Sequence, residues 1–222
     1  MHRIQAHHVS AAFYLSIEFQ GTGYLVERVY KAAYGDATGT STFGGTHQIP
    51  VPIIRLNEFL PDTQEIANGV IVNQPGWEQV LENNKQAFLT EFVQRNRFTT
   101  AYPQSMTAGQ FVDKLNDNAG NVLSVADRDQ LANELTALTK TRAQVLRAVA
   151  EDADLNTIEF NRAFVLMQYF GYLRRNPNDA PDSDYTGFDF WLGKLNQFNG
   201  NINAEMVKAF IVSGEYRGRF GP

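Results

Sequence analysis

The chain contains no cysteine, which excludes a disulfide framework, thiolate zinc sites and cysteine nucleophiles while leaving the compartment open. It has no excess of positive charge either. Its 19 Lys plus Arg stand against 24 Asp plus Glu, a formal charge of −5, so it carries no electrostatic footprint for phosphate backbones, which argues against nucleic acid as a partner. Long apolar runs are also missing: the most apolar stretch, residues 163–173, is interrupted by Gln168 and closed by Arg174 and Arg175. That is short of the roughly 18 to 20 residues needed to cross a bilayer, so no membrane span is expected. Residues 1–8 hold no apolar h-region, which places any export signal outside this sequence.

What is present is enough apolar material, 43% of 222 residues with 12% aromatic, to bury one sizeable core or two small ones. The pattern is helical. Leu25, Val26, Val29, Tyr30 and Ala33 share one face of a helix over 24–34 that Gly35 stops. Trp77, Val80, Leu81, Phe88 and Phe92 recur at helical spacing behind Pro75. Thr107 with Gln110 is a capping-box pattern, Ser124 with Asp127 marks a further start, and another helix begins near Thr141. Residues 158–173 are apolar on nearly every side, with Asn176-Pro177-Asn178 as the expected stop, and helices over 188–198 and 205–212 complete the set. Between them, residues 36–62 carry Gly39, Gly44, Gly45, Pro50, Pro52 and Pro61 and read as a long, packed, irregular loop. No stretch alternates with period two for long, so a substantial sheet is not expected.

Internal similarity suggests a repeat. Residues 12–21 match residues 209–218, and residues 91–98 form a looser copy that keeps the two aromatics six apart but lacks the Ser and the Glu. In the two close copies Ser16 and Ser213 are placed to cap a helical turn favoured by Glu18 and Glu215, with Phe19 and Tyr216 plugging a core. Residues 24–35 likewise resemble 164–174. The expectation is an all-α, two-unit helical repeat or bundle with a long Pro/Gly loop: a tail of a preceding unit over 1–23, a first unit over 24–103, connecting helices over 104–157 and a second unit over 158–222. On that reading the chain starts inside a longer protein, and an uncovered apolar repeat face would favour self-association.

The run Asn161-Arg162-Ala163-Phe164-Val165-Leu166-Met167-Gln168-Tyr169-Phe170-Gly171-Tyr172-Leu173-Arg174-Arg175-Asn176-Pro177 is followed by Gly187-Phe188-Asp189-Phe190-Trp191 and closed by Ser213-Gly214-Glu215-Tyr216. Together these segments resemble the bacterial family known as domain of unknown function 4214, over residues 158–222 and more weakly over 9–103. The resemblance implies a helical module of an exported or cell-surface bacterial protein, in a family with no agreed activity.

Candidate chemistry is sparse. The acidic loop from Asn178 to Asp189 is the best metal candidate, with Asp182, Asp184 and Asp189 as oxygen donors and calcium as the natural ion. Against it, the twelfth position of an EF-hand counted from Asp182 is Gly193 rather than a bidentate acid, and turn and cap chemistry accounts for the same residues. His47 is the one histidine away from the terminus, and no Gly-x-Ser-x-Gly elbow supports a nucleophilic serine. It reads as a loop histidine at the surface or on a carbonyl, and adjacent His7 and His8 cannot chelate as an i, i+4 pair. Glu18, Glu27, Glu159 and Glu215 sit near aromatic residues in the sequence, which leaves an alternative reading as a glycan or ester hydrolase working in an inter-unit cleft, although capping accounts for Glu18 and Glu215. Trp77 and Trp191, with Tyr185 and Phe190 near the second, are candidates for a sugar-stacking or peptide-binding platform, although burial of Trp191 against residues 164–173 accounts for it more simply. The leading expectation is a non-catalytic interaction module with no certain cofactor, for a protein or glycan partner, and no catalytic residue is assigned.

Overall fold

A computed structural model describes residues 21–198 and 202–220; Ser16, Glu18, Phe19 and the histidines at 2, 7 and 8 lie outside the described residues. Helices dominate: α1 (Gly23–Tyr34), α2 (Leu56–Ala67), α3 (Trp77–Phe92), α4 (Asn96–Ala101), α5 (Ala108–Ala119), α6 (Val125–Thr136), α7 (Arg142–Ala150), α8 (Ala153–Gln168) with a π-helical turn over Tyr169–Leu173, α9 (Thr186–Gln197), α10 (Asn203–Val212) and α11 (Gly214–Phe220). Strands β1 (Asp36–Ser41) and β2 (His47–Pro52) pair as a hairpin. The described residues form two compact units, one of residues 21–36 and 57–157, the other of residues 37–56, 158–198 and 202–220.

In the first unit α1 packs on α5 and α7, and α3 packs on α7. Residues 104–157 are therefore part of this unit's core rather than separate connecting helices. The apolar face expected of α1 is buried, but Glu27, Arg28 and Lys31 are no more than 9% exposed as well, so the helix has no solvent side. Such a helix needs partners for its polar groups. The Arg28 guanidinium sits 4.2 Å over the Tyr24 ring, and Lys31 Nζ meets Asp36 at 2.8 Å. Its last carbonyls are satisfied too: Ala33 O accepts from Tyr102 Oη at 2.7 Å and Asn118 Nδ2 at 2.9 Å, beside Gly35 at φ 73°. The expected caps form, with capping boxes at Thr107/Gln110 and Thr141/Gln144, and Ser124 Oγ accepting from Asp127 N.

The expected loop over 36–62 is the main departure. It folds as the hairpin and the start of α2. The hairpin turns at Gly44 and Gly45, whose φ values of 73° and 119° suit glycine. Helix α2 was hidden by Pro61, which lies inside it and removes one ladder donor without ending the helix.

The second unit is built around the end of α8 and the π-helical turn, where Phe164, Val165, Leu166, Met167, Tyr169, Phe170 and Leu173 are buried. The turn packs on α10 and α11. Arg174, in the left-handed region at φ 55°, ends it before the Asn176-Pro177 stop is reached. Ser213 caps α11 as expected, accepting from Tyr216 N at 3.1 Å.

Candidate functional site

The acidic loop of the second unit is organised by two arginines. Arg175, 7% exposed, sends Nε and Nη2 to the two carboxylate oxygens of Glu215 at 2.7 and 3.0 Å, and Nη2 also to Asp182 Oδ2 at 2.7 Å. Its Nη1 donates to the carbonyls of Asn176, Pro177 and Asp179 at 3.0–3.1 Å. Glu215, itself partly exposed, thus serves as the carboxylate partner of the buried Arg175 guanidinium rather than chiefly as a charge at the helix start. Arg55, just after β2, donates to Asn178 Oδ1, Asp179 Oδ1 and Tyr185 Oη at 2.7, 2.9 and 3.1 Å. Burial alone would raise the Asp179 carboxyl, but hydrogen bonds from Asn176 and the charges of Arg55 and Arg175 hold it below the usual range. The Tyr169 ring lies under Arg175, 5.3 Å from its Cζ; burial first, then the Asp182 carboxylate, pushes its phenol upward.

The three aspartates singled out as oxygen donors face three ways. Asp182 turns to Arg175, Asp184 accepts from Thr186 N at 2.9 Å, and Asp189 accepts from Ser41 Oγ at 2.6 Å. Among the described residues no three acidic, histidine or cysteine side chains converge as metal ligands.

Asp189 fastens the hairpin to the start of α9. Ser41 Oγ, which donates to it, also accepts from Phe43 N at 3.1 Å. Thr42 N donates to Thr186 Oγ1 at 2.8 Å, the two threonine hydroxyls lie 2.9 Å apart, and Tyr185 N donates to Thr40 O at 2.9 Å. Gly39 is required where β1 meets this loop, because a Cβ there would lie 2.5 Å from the Tyr185 ring. His47 completes the cluster, with Nε2 3.4 Å from Asp189 Oδ2 and Nδ1 2.7 Å from Gly45 O. Ser41, Asp189 and His47 thus meet with the carboxylate in the middle. The serine proton goes to the carboxylate, no imidazole nitrogen faces Oγ, and Ser41 is fully buried, so the cluster cannot generate a nucleophile as a Ser-His-Asp site does. Its effect is to hold the hairpin tip still.

Held at that tip is Phe43, 46% exposed. Its ring meets Phe190 edge-on at 5.4 Å. Phe190 in turn lies 5.1 Å from Trp191 and 5.8 Å from Lys194 Nζ, which is 5.9 Å from Phe198, itself 44% exposed. Phe43, Phe190, Lys194 and Phe198 form a continuous ridge of rings with one cation in it. Of the residues expected to form a platform, Trp191 is half-buried behind this ridge, 6.2 Å from Phe210, whereas Tyr185 is 8% exposed with its hydroxyl on Arg55. Burial, opposed by Arg55, raises the Tyr185 phenol.

The remaining candidates have other duties. Glu27 is buried in α1, Glu159 pairs with Arg162 at 3.0 Å, and Glu215 pairs with Arg175. In the first unit a cleft of about 220 Å³ is lined by Glu82, Gln86, Thr90, Thr141, Gln144 and Arg147. It is below the volume of an ordinary ligand pocket, and its charges are spent on each other, with Arg147 fork-bound to Glu82 at 2.5 and 2.7 Å. The ridge escaped the sequence reading, although Phe190, Lys194 and Phe198 at intervals of four were its available signal. Compared with known proteins, the chain matches no family model, no curated protein and no solved structure.

Proposed function

We propose that this chain is a non-catalytic interaction module that binds through the ridge Phe43–Phe190–Lys194–Phe198. The observation that carries the reading is Phe43, a large apolar side chain displayed at a hairpin tip that Ser41, Thr42, Thr186 and Asp189 hold in place. Fixing a ring before a partner arrives reduces the entropy lost on binding. The engagement of Glu159 and Glu215 with arginines supports binding over carboxylate hydrolysis. The resemblance of residues 158–222 to domain of unknown function 4214 supports placing the module in an exported or cell-surface bacterial protein.

The test is a displayed helical-peptide library and a glycan array probed with the whole chain and with Phe43→Ala and Phe198→Ala. Both positions are exposed, so melting temperatures are expected to stay close to wild type while binding to the selected probe falls about tenfold or more, as for an interface anchor. Equal binding by wild type and both variants sinks the ridge as the binding face. Turnover of a chromogenic glycoside or ester, lost on Glu159→Gln, sinks the non-catalytic reading.

A further inference from the structure

Phe190, Lys194 and Phe198 stand at i, i+4 and i+8 of α9 and its end, so they line one side of that helix. Lys194 Nζ lies between the two rings, and among the described residues it meets no carboxylate, only their faces. A partner that covers the rings also covers this ammonium and removes its water, which is unfavourable unless the partner brings an opposite charge to the same point. The ridge therefore specifies a sequence of chemistry: apolar, acidic, apolar.

From this we infer that the ridge docks an amphipathic helix of a partner protein that carries Asp or Glu one turn away from an apolar residue on either side. The inference rests on the binding reading above and specifies the partner. Spacing supports a helix, because eight residues of α9 rise about 12 Å and a partner helix repeats apolar, acid, apolar at the same i, i+4, i+8 pitch. An added strand is less suited. Two positions of β2, Pro50 and Pro52, have no N–H to offer, and on β1 the Thr40 carbonyl is already taken by Tyr185 N. A sugar fits less well for a different reason. The polar groups beside the ridge, Ser41, Thr42, Thr186 and Asp189, are hydrogen-bonded to one another, and phenylalanine rings have no polar handle, so Lys194 is left as a donor and most sugar hydroxyls would be desolvated without partners.

The experiment uses the whole chain and a displayed three-helix scaffold with positions i, i+4 and i+8 of one outer face randomised. Selection is expected to enrich apolar, acidic, apolar. A scaffold carrying Leu, Glu, Leu should bind at least about tenfold tighter than one carrying Leu, Lys, Leu, a difference of about 1.4 kcal/mol. Lys194→Glu, a surface change, should invert that order. Enrichment indifferent to charge, or an order unchanged by Lys194→Glu, overturns the proposal. If instead only array glycans bind and Phe43→Ala abolishes that binding, the partner assigned here is wrong and the ridge remains a binding face. Self-association in light scattering that Lys194→Glu abolishes assigns the ridge to a second copy and also overturns it.

Discussion

Each unit encloses an arginine against aromatic rings, and the two arginines do different work. In the first unit Arg95 reaches both oxygens of Asp62 at 2.8 and 2.9 Å, with Tyr30 Oη on the same carboxylate at 2.9 Å and the Phe92 ring 4.9 Å away. The acceptor belongs to α2, so the pair joins elements that are already helical. In the second unit Arg175 divides its donors between carboxylates and three carbonyls of the loop that follows it. That loop has no ladder of its own, so the guanidinium supplies the hydrogen bonds that secondary structure would otherwise provide. One arginine reinforces a core, and the other substitutes for regular structure in the loop that leads to α9.

The largest effect that tests this contrast comes from removing each guanidinium. Asp62 has a side chain 7% exposed, against 24% for Glu215 and 44% for Asp182. Arg95→Met leaves a buried carboxylate without its cation and should cost about 3–5 kcal/mol in urea unfolding, with Asp62→Asn in the same background recovering part of it. After Arg175→Met, water reaches the partly exposed carboxylates, so the cost should be smaller, about 1–3 kcal/mol from the carbonyls that lose a donor. Hydrogen exchange should then accelerate over residues 174–187. Equal costs for the two variants would break the distinction.

Next in size are two glycines. At Gly187 an added methyl would run into the Tyr169 hydroxyl, while the next ring atom, Cζ, is 3.7 Å away. Gly187→Ala should therefore lose about 1–3 kcal/mol through overpacking and recover most of it when combined with Tyr169→Phe. The first unit's Gly35 is instead limited by its backbone: at φ 73° and ψ −146° it occupies a region open essentially to glycine alone, and its Cβ would also meet Oδ1 of Asn118 at 3.2 Å, whose amide is held by Ala32 O, Ala33 O and Tyr102 Oη. The loss at Gly35→Ala should then be about 1–3 kcal/mol, set mainly by that backbone conformation. A double variant at 187 and 169 no better than Gly187→Ala alone would show that backbone conformation, rather than the hydroxyl, requires the glycine.

These sites also show why some of the molecule was legible in the sequence and some was not. Thr107, Thr141, Ser124 and Ser213 act on N–H groups within three residues of themselves, so their roles can be read locally. The same locality marks α3 and α5. Arg55, Arg175 and Asp189 pair with side chains 7 to 148 residues away, and nothing in the spacing of acidic residues over 178–189 distinguishes a loop that gathers a metal from one that surrounds a guanidinium. The hairpin was missed because Thr, Gly and Pro dominate its strands and supply no alternation, and α2 because a proline inside a helix reads as its end.

Titration offers a third comparison. Burial pushes the Tyr34 phenol up to about 12, against the pull of Arg97, whose guanidinium lies 4.0 Å over the ring, and of Arg95. The folded state then binds the proton more tightly than the unfolded chain, whose tyrosines titrate near about 10. Stability from this source is complete below about pH 10 and is lost as pH rises toward 12, because the unfolded state releases its proton first. Urea midpoints at pH 9, 10.5 and 11.5 should fall less steeply for Tyr34→Phe than for wild type. Parallel slopes would mean that the other buried phenols of this unit, Tyr30, raised by its burial and by Asp62, and Tyr102, raised by its burial, carry the alkaline loss.

The smallest expected effect lies at two helix ends within the first unit that share one geometry. After α5, Asn121 N donates to Asn116 O and Gly120 N to Asp117 O; after α6, Thr139 N donates to Glu134 O and Leu138 N to Leu135 O. Both are Schellman closures, which place one residue in the left-handed region. At the first that residue is Gly120, with φ 91°, followed by Asn121 also at positive φ, 61°; at the second it is Leu138, with φ 59° and 87% of its surface exposed. Exposure leaves the leucine little packing to offset a backbone cost of about 1–2 kcal/mol, while glycine at the same place loses about 0.5–1 kcal/mol of extra chain entropy on folding. Leu138→Gly should thus stabilise the unit by about 0.5 kcal/mol, the difference of those terms, and Gly120→Ala should destabilise it. If Leu138→Gly lowers the urea midpoint instead, the chain entropy of glycine outweighs the left-handed cost at Leu138 and the contrast between the two closures fails.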